Sequence, residues 1–196
     1  MTRIAQPSRQ SSAERQASLI QAATTLFAKK GFNGTTTKEI ARAAGISEAL
    51  VFKHFPTKHA LYAAILAEKV TISELLSAIE ESAKKRDDRR VFTLIAGYRI
   101  RPGVDPTLLR LLLFSALEGH ELSDMFFGKH HKVFYDHLAA YIHTRVGDGA
   151  FRQVDPLLAA RAFIGMVVHH RLLHEIFGVP IDRPYDDTVS TYVDIF

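Results

Sequence analysis

Hydroxyl-bearing and basic residues cluster between residues 36 and 58, at spacings that suit two short helices. Thr36 can cap the first helix, with Glu39 three residues later to complete a capping box, and Ser47 can cap the second. Gly45, between them, suits the left-handed conformation that ends a helix. Hydroxyls, ammonium groups and the N–H groups of helix starts can all donate to phosphate oxygens. The segment predicts a helix-turn-helix, whose second helix can enter the major groove of DNA.

Apolar spacing separates an inner from an outer face in this segment. Ile40, Ala41 and Ala44 would line the inside of the first helix, and Val51 and Phe55 that of the second. The side chains left to face outward are Glu48, Ala49, Leu50, Lys53 and His54. In a DNA-binding protein an outward leucine can contact a thymine methyl group. The alternative is a helical hairpin within a larger all-α core, because the pattern alone is only moderately specific.

The net charge of +4 is unevenly distributed. Residues 1–60 hold nine Lys and Arg against three Asp and Glu, a net +6, whereas residues 61–196 carry −2. This asymmetry favours a polyanion partner for the N-terminal part, although a basic solvated face is the alternative. The chain has no cysteine, which excludes disulfides and thiolate zinc sites. Residues 1–12 do not resemble a signal peptide and no run could span a bilayer, so we expect a soluble cytoplasmic protein.

Helical periodicity extends along the whole chain and predicts an all-α fold of about nine helices. We expect a three-helix head over residues 12–60 and a helical body over 61–196, with a charged loop at Lys84–Arg90. One long helix, capped by Thr57, should run to about Ser82, and the apolar helix at 106–119 should be central and buried. The other predicted helices are Ser12–Lys30, Thr36–Ala44, Glu48–Phe55, Val91–Arg99, Asp124–Val146, Asp155–Phe177 and Pro184–Phe196. The last segment ends without a cap, so the natural chain either continues or packs this end against a partner.

Aromatic and sulfur-containing residues are concentrated in the body and predict an adaptable pocket for an apolar or aromatic small molecule. Plain core packing is the alternative for each of them. Candidate lining residues are Phe92, Phe114, Leu117, His120, Phe127, Phe163, Met166 and His170. His170 and His174 are four apart, a spacing that can hold a metal. No adjacent carboxylate completes a site, so we predict neither a metal nor a cofactor.

The first 70 residues or so resemble the TetR/AcrR family of transcriptional regulators. That resemblance implies a homodimer with a three-helix DNA-binding head and a larger body for ligand binding and dimerisation. It further implies a repressor that releases DNA when a small molecule binds. The resemblance rests on Gly31, Thr35-Thr36, Ile40-Ala41, Ala44-Gly45-Ile46-Ser47, His54-Phe55 and Lys58-x-x-Leu61.

The family pattern assigns DNA contacts to individual positions. Ala49 often holds glycine in the family, and Phe52 usually holds tyrosine. The phenylalanine therefore loses one hydroxyl-to-phosphate hydrogen bond, worth about 1 kcal/mol. Together with the caps, the expected DNA-contacting residues are Thr36, Thr37, Lys38, Ser47, Glu48, Ala49, Leu50, Phe52, Lys53, His54 and Lys58.

By the same resemblance, the last two helices would pair across a two-fold axis as a four-helix bundle. Small residues there would permit close helix approach, namely Ala159, Ala160, Ala162 and Gly165. The two heads would then meet successive major grooves about 34 Å apart on a near-palindromic operator. An internal helical hairpin is the alternative.

Three functions compete. The leading one is a sequence-specific repressor released from its operator by a small apolar or aromatic ligand. The second is an architectural or recruiting DNA-binding protein without an inducer. The third is a small helical enzyme or metalloprotein built on the histidines. No nucleophile elbow, phosphate loop or dinucleotide fingerprint supports that third function, so we do not predict an enzyme.

Overall fold

A computed structural model describes residues 11–69, 73–101, 103, 106–119 and 132–196. These residues form ten α-helices and no strand, which confirms the all-α prediction. The helices are α1 (Ser12–Lys30), α2 (Thr37–Ala43), α3 (Glu48–His54), α4 (Lys58–Lys69), α5 (Ser73–Lys84), α6 (Asp88–Ile100), α7 (Thr107–Leu117), α8 (Lys132–Gly147), α9 (Pro156–Glu175) and α10 (Tyr185–Ile195). Two of them, α4 and α5, occupy the span predicted as one long helix. Residues 70–72 lie outside the described part, so the continuity of the predicted helix across them stays a prediction.

Side-chain caps begin the helices that start sharply. Ser11 and Glu14 form a capping box at α1, and Asp87 caps α6. The Thr57 hydroxyl accepts the Ala60 N–H at 3.0 Å, which confirms the predicted cap of α4. Asp155 caps α9, with proline at the first helical position, where a missing N–H costs no hydrogen bond. Local sequence signals therefore determine most of the helix starts.

The chain divides into two compact units. The first consists of the chain up to Lys69 together with a segment beginning at Arg110. In it α1 packs on α4 and on α2, and α2 packs on α3. An aromatic cluster holds the centre, where the ring of Phe27 lies 5.5 Å from that of Phe32 and 5.2 Å from that of Tyr62. The Tyr62 hydroxyl donates to the Leu111 carbonyl at 2.8 Å, which attaches α7 to α4 within this unit.

The second unit is organised around α6, which packs against α5, α9 and α10, while α8 packs against α9. Phe92 and Phe163 meet edge to face at 4.8 Å, and both rings contact Phe196. Arg145, a buried charged residue, binds Asp88 through two nitrogens and Asp148 through a third. The Asp88 carboxylate also accepts the hydroxyl of Tyr141. This network ties α8 to the start of α6, and the Arg145 guanidinium, followed by the tyrosine hydroxyl, lowers the pKa of Asp88.

Two expectations about the body were wrong. The charged stretch Lys84–Arg90 is not a loop throughout, because α5 continues to Lys84 and α6 begins at Asp88. Arg86 adopts a positive φ of 57° in the short turn between them. The apolar helix α7 is not wholly buried, since only Leu111 and Ser115 along it are buried. Within the described residues, no helix is long and apolar enough to cross a membrane.

Candidate nucleic-acid interface

Backbone hydrogen bonds at residues 41–47 define the turn between α2 and α3. The Ala44 N–H bonds to the Ile40 carbonyl at 2.9 Å, and the Ile46 N–H bonds to the Ala41 carbonyl at 3.0 Å. Gly45 between them has φ 69°, the left-handed conformation that the sequence predicted for it. The Ser47 hydroxyl then accepts the Leu50 N–H and starts α3. The turn is therefore short and specified by hydrogen bonds.

The inner face of the motif is buried as predicted. Ile40 and Ala41 on α2 and Val51 on α3 are buried, and Phe55 is buried directly after α3. Ala44 is half-buried. Because these residues anchor both helices on one side, the opposite side of α3 is held in a defined orientation toward solvent.

The outer face of α3 is open. Glu48, Ala49 and Lys53 are exposed, whereas Leu50 and His54 are half-buried. Phe52 is 45% exposed. On α2, Lys38 is exposed and Thr37 is half-buried. The predicted contact residues of α2 and α3 are thus at least partly accessible.

A hydrogen bond joins the starts of the two helices. The Thr37 hydroxyl donates to the Glu48 carboxylate. While this bond holds, Thr37 cannot donate the same proton to a phosphate, and one oxygen of Glu48 is occupied. The sequence did not indicate this pairing, because the residues lie eleven positions apart on different helices.

The capping box of α2 is reinforced by charge. Glu39 accepts the Thr36 N–H at 3.0 Å and pairs with Lys30 of α1 at 2.6 Å. The Lys30 hydrogen bond, followed by the Thr36 backbone bond, lowers the pKa of Glu39 from 4.5 to about 2. The Thr36 hydroxyl accepts the Glu39 N–H at 3.2 Å. The N–H groups of Thr36 and Glu39 are therefore satisfied within the protein.

Lys58, expected at a phosphate, has protein partners. Its ammonium donates to the carbonyls of Phe32 and Thr35 at 2.7 and 3.0 Å and lies 4.1 Å from the centre of the Phe32 ring. These bonds occupy two of its three donors. Burial lowers the pKa of Lys58, opposed by the charge of Glu118. The Lys58 side chain thus links the α1–α2 connection to α4 by hydrogen bonds. The third N–H of its ammonium group is left to donate to a phosphate.

Glu118 is a residue of this unit that sequence reasoning missed. Its carboxylate accepts the N–H groups of Phe32 and Asn33 at 3.2 to 3.3 Å, directly after α1. A side chain at Gly31 would collide with it, since an added Cβ would lie 2.3 Å from its Oε1. Gly31 also has φ 75°. The two partners are 85 and 86 positions away along the chain, and no local pattern in the sequence points to such a contact.

The candidate pocket residues do not form one cluster. Phe92 and Phe163 lie in the hydrophobic core of the second unit and contact each other. In the first unit, Phe114 approaches Gly31, whereas Leu117 is 85% exposed and does not suit a pocket lining. His120 and Phe127 lie outside the described residues.

Two of the clefts on the described part of the second unit contain predicted pocket residues. Met166 lines one of about 740 Å³, together with Leu158, Ala162 and Phe196. His170 lines another of about 390 Å³, whose wall includes Arg183, Asp187 and Tyr192. The two predicted residues therefore belong to different clefts.

The paired histidines each have a hydrogen-bond partner. His170 Nδ1 lies 2.9 Å from the Tyr192 hydroxyl, and His174 Nδ1 lies 3.2 Å from the Val179 carbonyl. Burial and the neighbouring His174 lower the pKa of His170. Among the described parts of the chain, no group of three His, Asp or Glu side chains could hold a metal ion. Both histidines, four positions apart on α9, thus contact residues that follow this helix, namely Tyr192 and Val179.

Two family models match the chain. Residues 19–65 match the model of bacterial regulatory proteins of the tetR family. Residues 106–196 match the C-terminal domain of AefR-like transcriptional repressors. Among curated proteins, an uncharacterised HTH-type transcriptional regulator of Bacillus subtilis, YvkB, is 46% identical over 50 residues, which are 26% of each chain. The first curated relatives are thus matched over only 26% and 34% of their own length.

Solved structures extend the similarity to almost the whole fold. The structure of AibR in complex with isovaleryl coenzyme A and operator DNA has a TM-score of 0.70 at 23% identity, covering 93% of this chain and 98% of that one. A putative transcriptional regulator from Pseudomonas aeruginosa PAO1 has a TM-score of 0.72 at 23% identity, covering 95% and 92%. With both family models matched and this fold, the chain belongs to the TetR/AcrR family of transcriptional regulators.

Proposed function

We propose that this protein is a sequence-specific DNA-binding repressor that acts as a homodimer and leaves its operator when a small molecule binds. The observation that carries the proposal is the open outer face of α3. It is an exposed, capped helix whose inner side is anchored by Val51. Such a helix fits the major groove of B-DNA, which is about 12 Å wide. The residues that would make contact are those of the sequence prediction.

The side chains on this face suit two kinds of contact. The exposed ammonium groups of Lys38 and Lys53 can pair with phosphates, which positions the head without reading sequence. Leu50 and Ala49 can contact thymine methyl groups. Glu48 can accept from a cytosine amino group once it exchanges its bond with Thr37. Operator preference would come from these three residues near the start of α3.

The exposed side of α9 supports the homodimer. Leu158 is 61% exposed, and Ala162, Gly165 and His169 continue the same face at exposed positions. Ile195, near the end of α10, is also exposed. Apolar and small residues repeated at helical spacing on a solvent face favour close helix pairing. A partner's α9 and α10 would cover this face and form the four-helix bundle.

The ligand-responsive part of the proposal assigns ligand binding and dimerisation to residues 61–196 and DNA binding to 12–60. AibR, which shares this fold, was solved with both an acyl coenzyme A and operator DNA. A ligand would lower operator affinity by binding more tightly to a conformation that does not match the groove spacing. The alternative is a DNA-binding protein without an inducer, and it predicts no small-molecule effect on operator affinity.

The test is selection of genomic DNA fragments by the full-length protein, followed by competition binding. We expect one near-palindromic motif, bound by one dimer. A Leu50→Asp variant should lose the motif, because a carboxylate would replace an apolar contact in a groove flanked by phosphates. Leu157→Asp, a matched change at an exposed leucine of α9, should select the same motif, provided that it remains dimeric. Recovery of random fragments by the parent protein would refute the proposal.

A further inference from the structure

The connection between α1 and α2, residues 31–35, is held by two side chains of opposite charge. The Glu118 carboxylate accepts the N–H groups of Phe32 and Asn33 at 3.2 to 3.3 Å. The Lys58 ammonium donates to the carbonyls of Phe32 and Thr35 at 2.7 and 3.0 Å. The peptide group between Phe32 and Asn33 is thus bonded at both ends. Because the C=O and N–H of a trans peptide point in opposite directions, Lys58 and Glu118 hold it from two sides.

The carboxylate of Glu118 lies directly against the backbone of this connection. A Cβ added at Gly31 would be 2.3 Å from its Oε1, so the glycine makes this approach possible. The buried Thr35 hydroxyl donates to the Gly31 carbonyl at 2.9 Å and ties the two ends of the connection together. Any change in the position of the carboxylate is therefore felt along the whole connection.

The connection leads directly into the DNA-facing helices. Thr36, which caps α2, follows Thr35 in the chain. Helix α2 packs on α3, and Ile40 and Val51 on their inner faces are buried. A displacement of the connection would move the start of α2 and, with it, the outer face of α3. Readout of base edges requires that face to be held within hydrogen-bond distance of the bases.

We propose that Glu118 is a positioning residue for operator binding, whose carboxylate fixes the α1–α2 connection and so the orientation of α2 and α3 that fits the major groove. Glu118 acts through the backbone of Phe32 and Asn33 and not on a phosphate, since an ionised carboxylate has no proton to donate. The inference rests on the proposed function and deepens it. It makes operator affinity depend on a residue of the proposed ligand-binding part, 61–196.

The test is the operator affinity of full-length Glu118→Ala, measured well below its unfolding temperature. We expect the affinity to fall about tenfold, because two N–H groups lose a charged acceptor and the start of α2 is no longer fixed. The slope of log K against log salt should equal that of the parent, because no phosphate contact is removed. Affinity for random-sequence DNA should change less than operator affinity, since it depends on phosphate contacts alone.

A conservative variant separates position from fold stability. Glu118→Gln keeps a carbonyl acceptor without the charge and should bind the operator with intermediate affinity. If Glu118→Ala does not give a folded dimer, the comparison of Glu118→Gln with the parent tests the same expectation. Tyr141→Phe is the stability control, because it removes a hydrogen bond to Asp88 in the second unit. It should lower Tm and keep the parent's operator affinity.

Gly31 provides an independent test of the same contact. Gly31→Ala places a methyl group where the carboxylate lies and should also weaken operator binding. In the Glu118→Ala background the same substitution should cost less affinity, because the collision is gone. The backbone strain at φ 75° is present in both backgrounds and cancels in the double-mutant cycle.

Four results would overturn the proposal. These are parent-like operator affinity in Glu118→Ala, an equal loss of affinity in Tyr141→Phe, a smaller salt slope in Glu118→Ala, and additive effects of the Gly31 and Glu118 substitutions. Failure of the proposed function is a separate result, because it appears as the absence of a selected motif with the parent protein. A parent that selects a motif, together with an equally active Glu118→Ala, would refute only the positioning role.

Discussion

Individual residues in the head divide into those that hold the DNA-facing surface and those that form it. Lys58 and Glu39 belong to the first group, since their charged groups bind other parts of the protein. Lys53 and Lys38 belong to the second group, since they are exposed on α3 and α2 respectively. A basic residue in a DNA-binding motif is therefore not by itself a DNA contact.

Lys53→Ala tests the second group. We expect operator affinity to fall several-fold at low salt, because one phosphate contact is lost. The slope of log K against log salt should decrease in magnitude by about one. The measurement is operator titration by fluorescence anisotropy at several salt concentrations. Lys85→Ala, which removes an exposed lysine paired with Glu81, is the control and should keep the parent slope.

Glu39 tests the first group through pH. Its pKa in the folded protein is lowered to about 2 from 4.5, so its stabilising effect is complete above 4.5 and is lost as the pH falls toward 2. In Glu39→Gln this contribution is absent at every pH. The drop in Tm between pH 5 and pH 3 should therefore be smaller in the variant, measured by circular dichroism. An identical drop would show that the carboxylate is not held in this way.

At the scale of elements, a contact between distant segments stabilises the connection after α1. The turn at Phe32 and Asn33 has its N–H groups satisfied by Glu118, which follows α7, and Tyr62 binds α7 through Leu111. The helix-turn-helix therefore rests on a segment from the second half of the sequence. Its own capping signals specify α2 and α3, but not this support.

Glu118→Ala should destabilise the protein by about 1–3 kcal/mol, because the part-buried N–H of Phe32 loses its acceptor, together with the exposed N–H of Asn33. The measurement is urea unfolding of the full-length protein. Glu81→Ala removes an exposed carboxylate that pairs with Lys85 on the same helix, and it should change stability by no more than about 0.5 kcal/mol. Equal effects of the two substitutions would remove Glu118 from this role.

At the scale of the whole molecule, the proposed repressor depends on two copies held at a fixed spacing. The exposed face of α9 carries Leu158, Ala162 and Gly165 beside Arg161 and His169, whereas Ala160 and Ile164 on the opposite face are fully buried. One helix would thus serve the core of its own chain on one side and a partner on the other.

Ala162→Glu should produce monomers, because it places a charge at the centre of the proposed helix pair. Sedimentation analysis should show the change, and operator affinity should fall by about two orders of magnitude or more, as expected when two linked contacts become independent. Ala140→Glu makes the same substitution at an exposed position of α8 and should remain dimeric. A dimeric Ala162→Glu protein would place the interface elsewhere.

The sequence predicted the local features well, because they depend on neighbouring residues. Thr36 and Ser47 cap their helices, Gly45 takes the left-handed conformation, and Val51 and Phe55 face inward. The periodicity also predicted the all-α class. The sequence prediction failed at Lys84–Arg90, where the density of charged residues suggested a loop. Exposed charges are compatible with helix ends, and the Asp87 cap decided the boundary.

The sequence alone identified the DNA-binding family of this protein. Helix caps and a glycine turn depend on residues only a few positions apart, and the basic charge of the N-terminal part follows from composition. Only the tertiary structure decided the partners of Lys58 and the support that Glu118 gives to the connection after α1. Each of these depends on residues from helices far apart in the chain. Periodicity shows which face of a helix is buried, but it does not show which other helix covers that face.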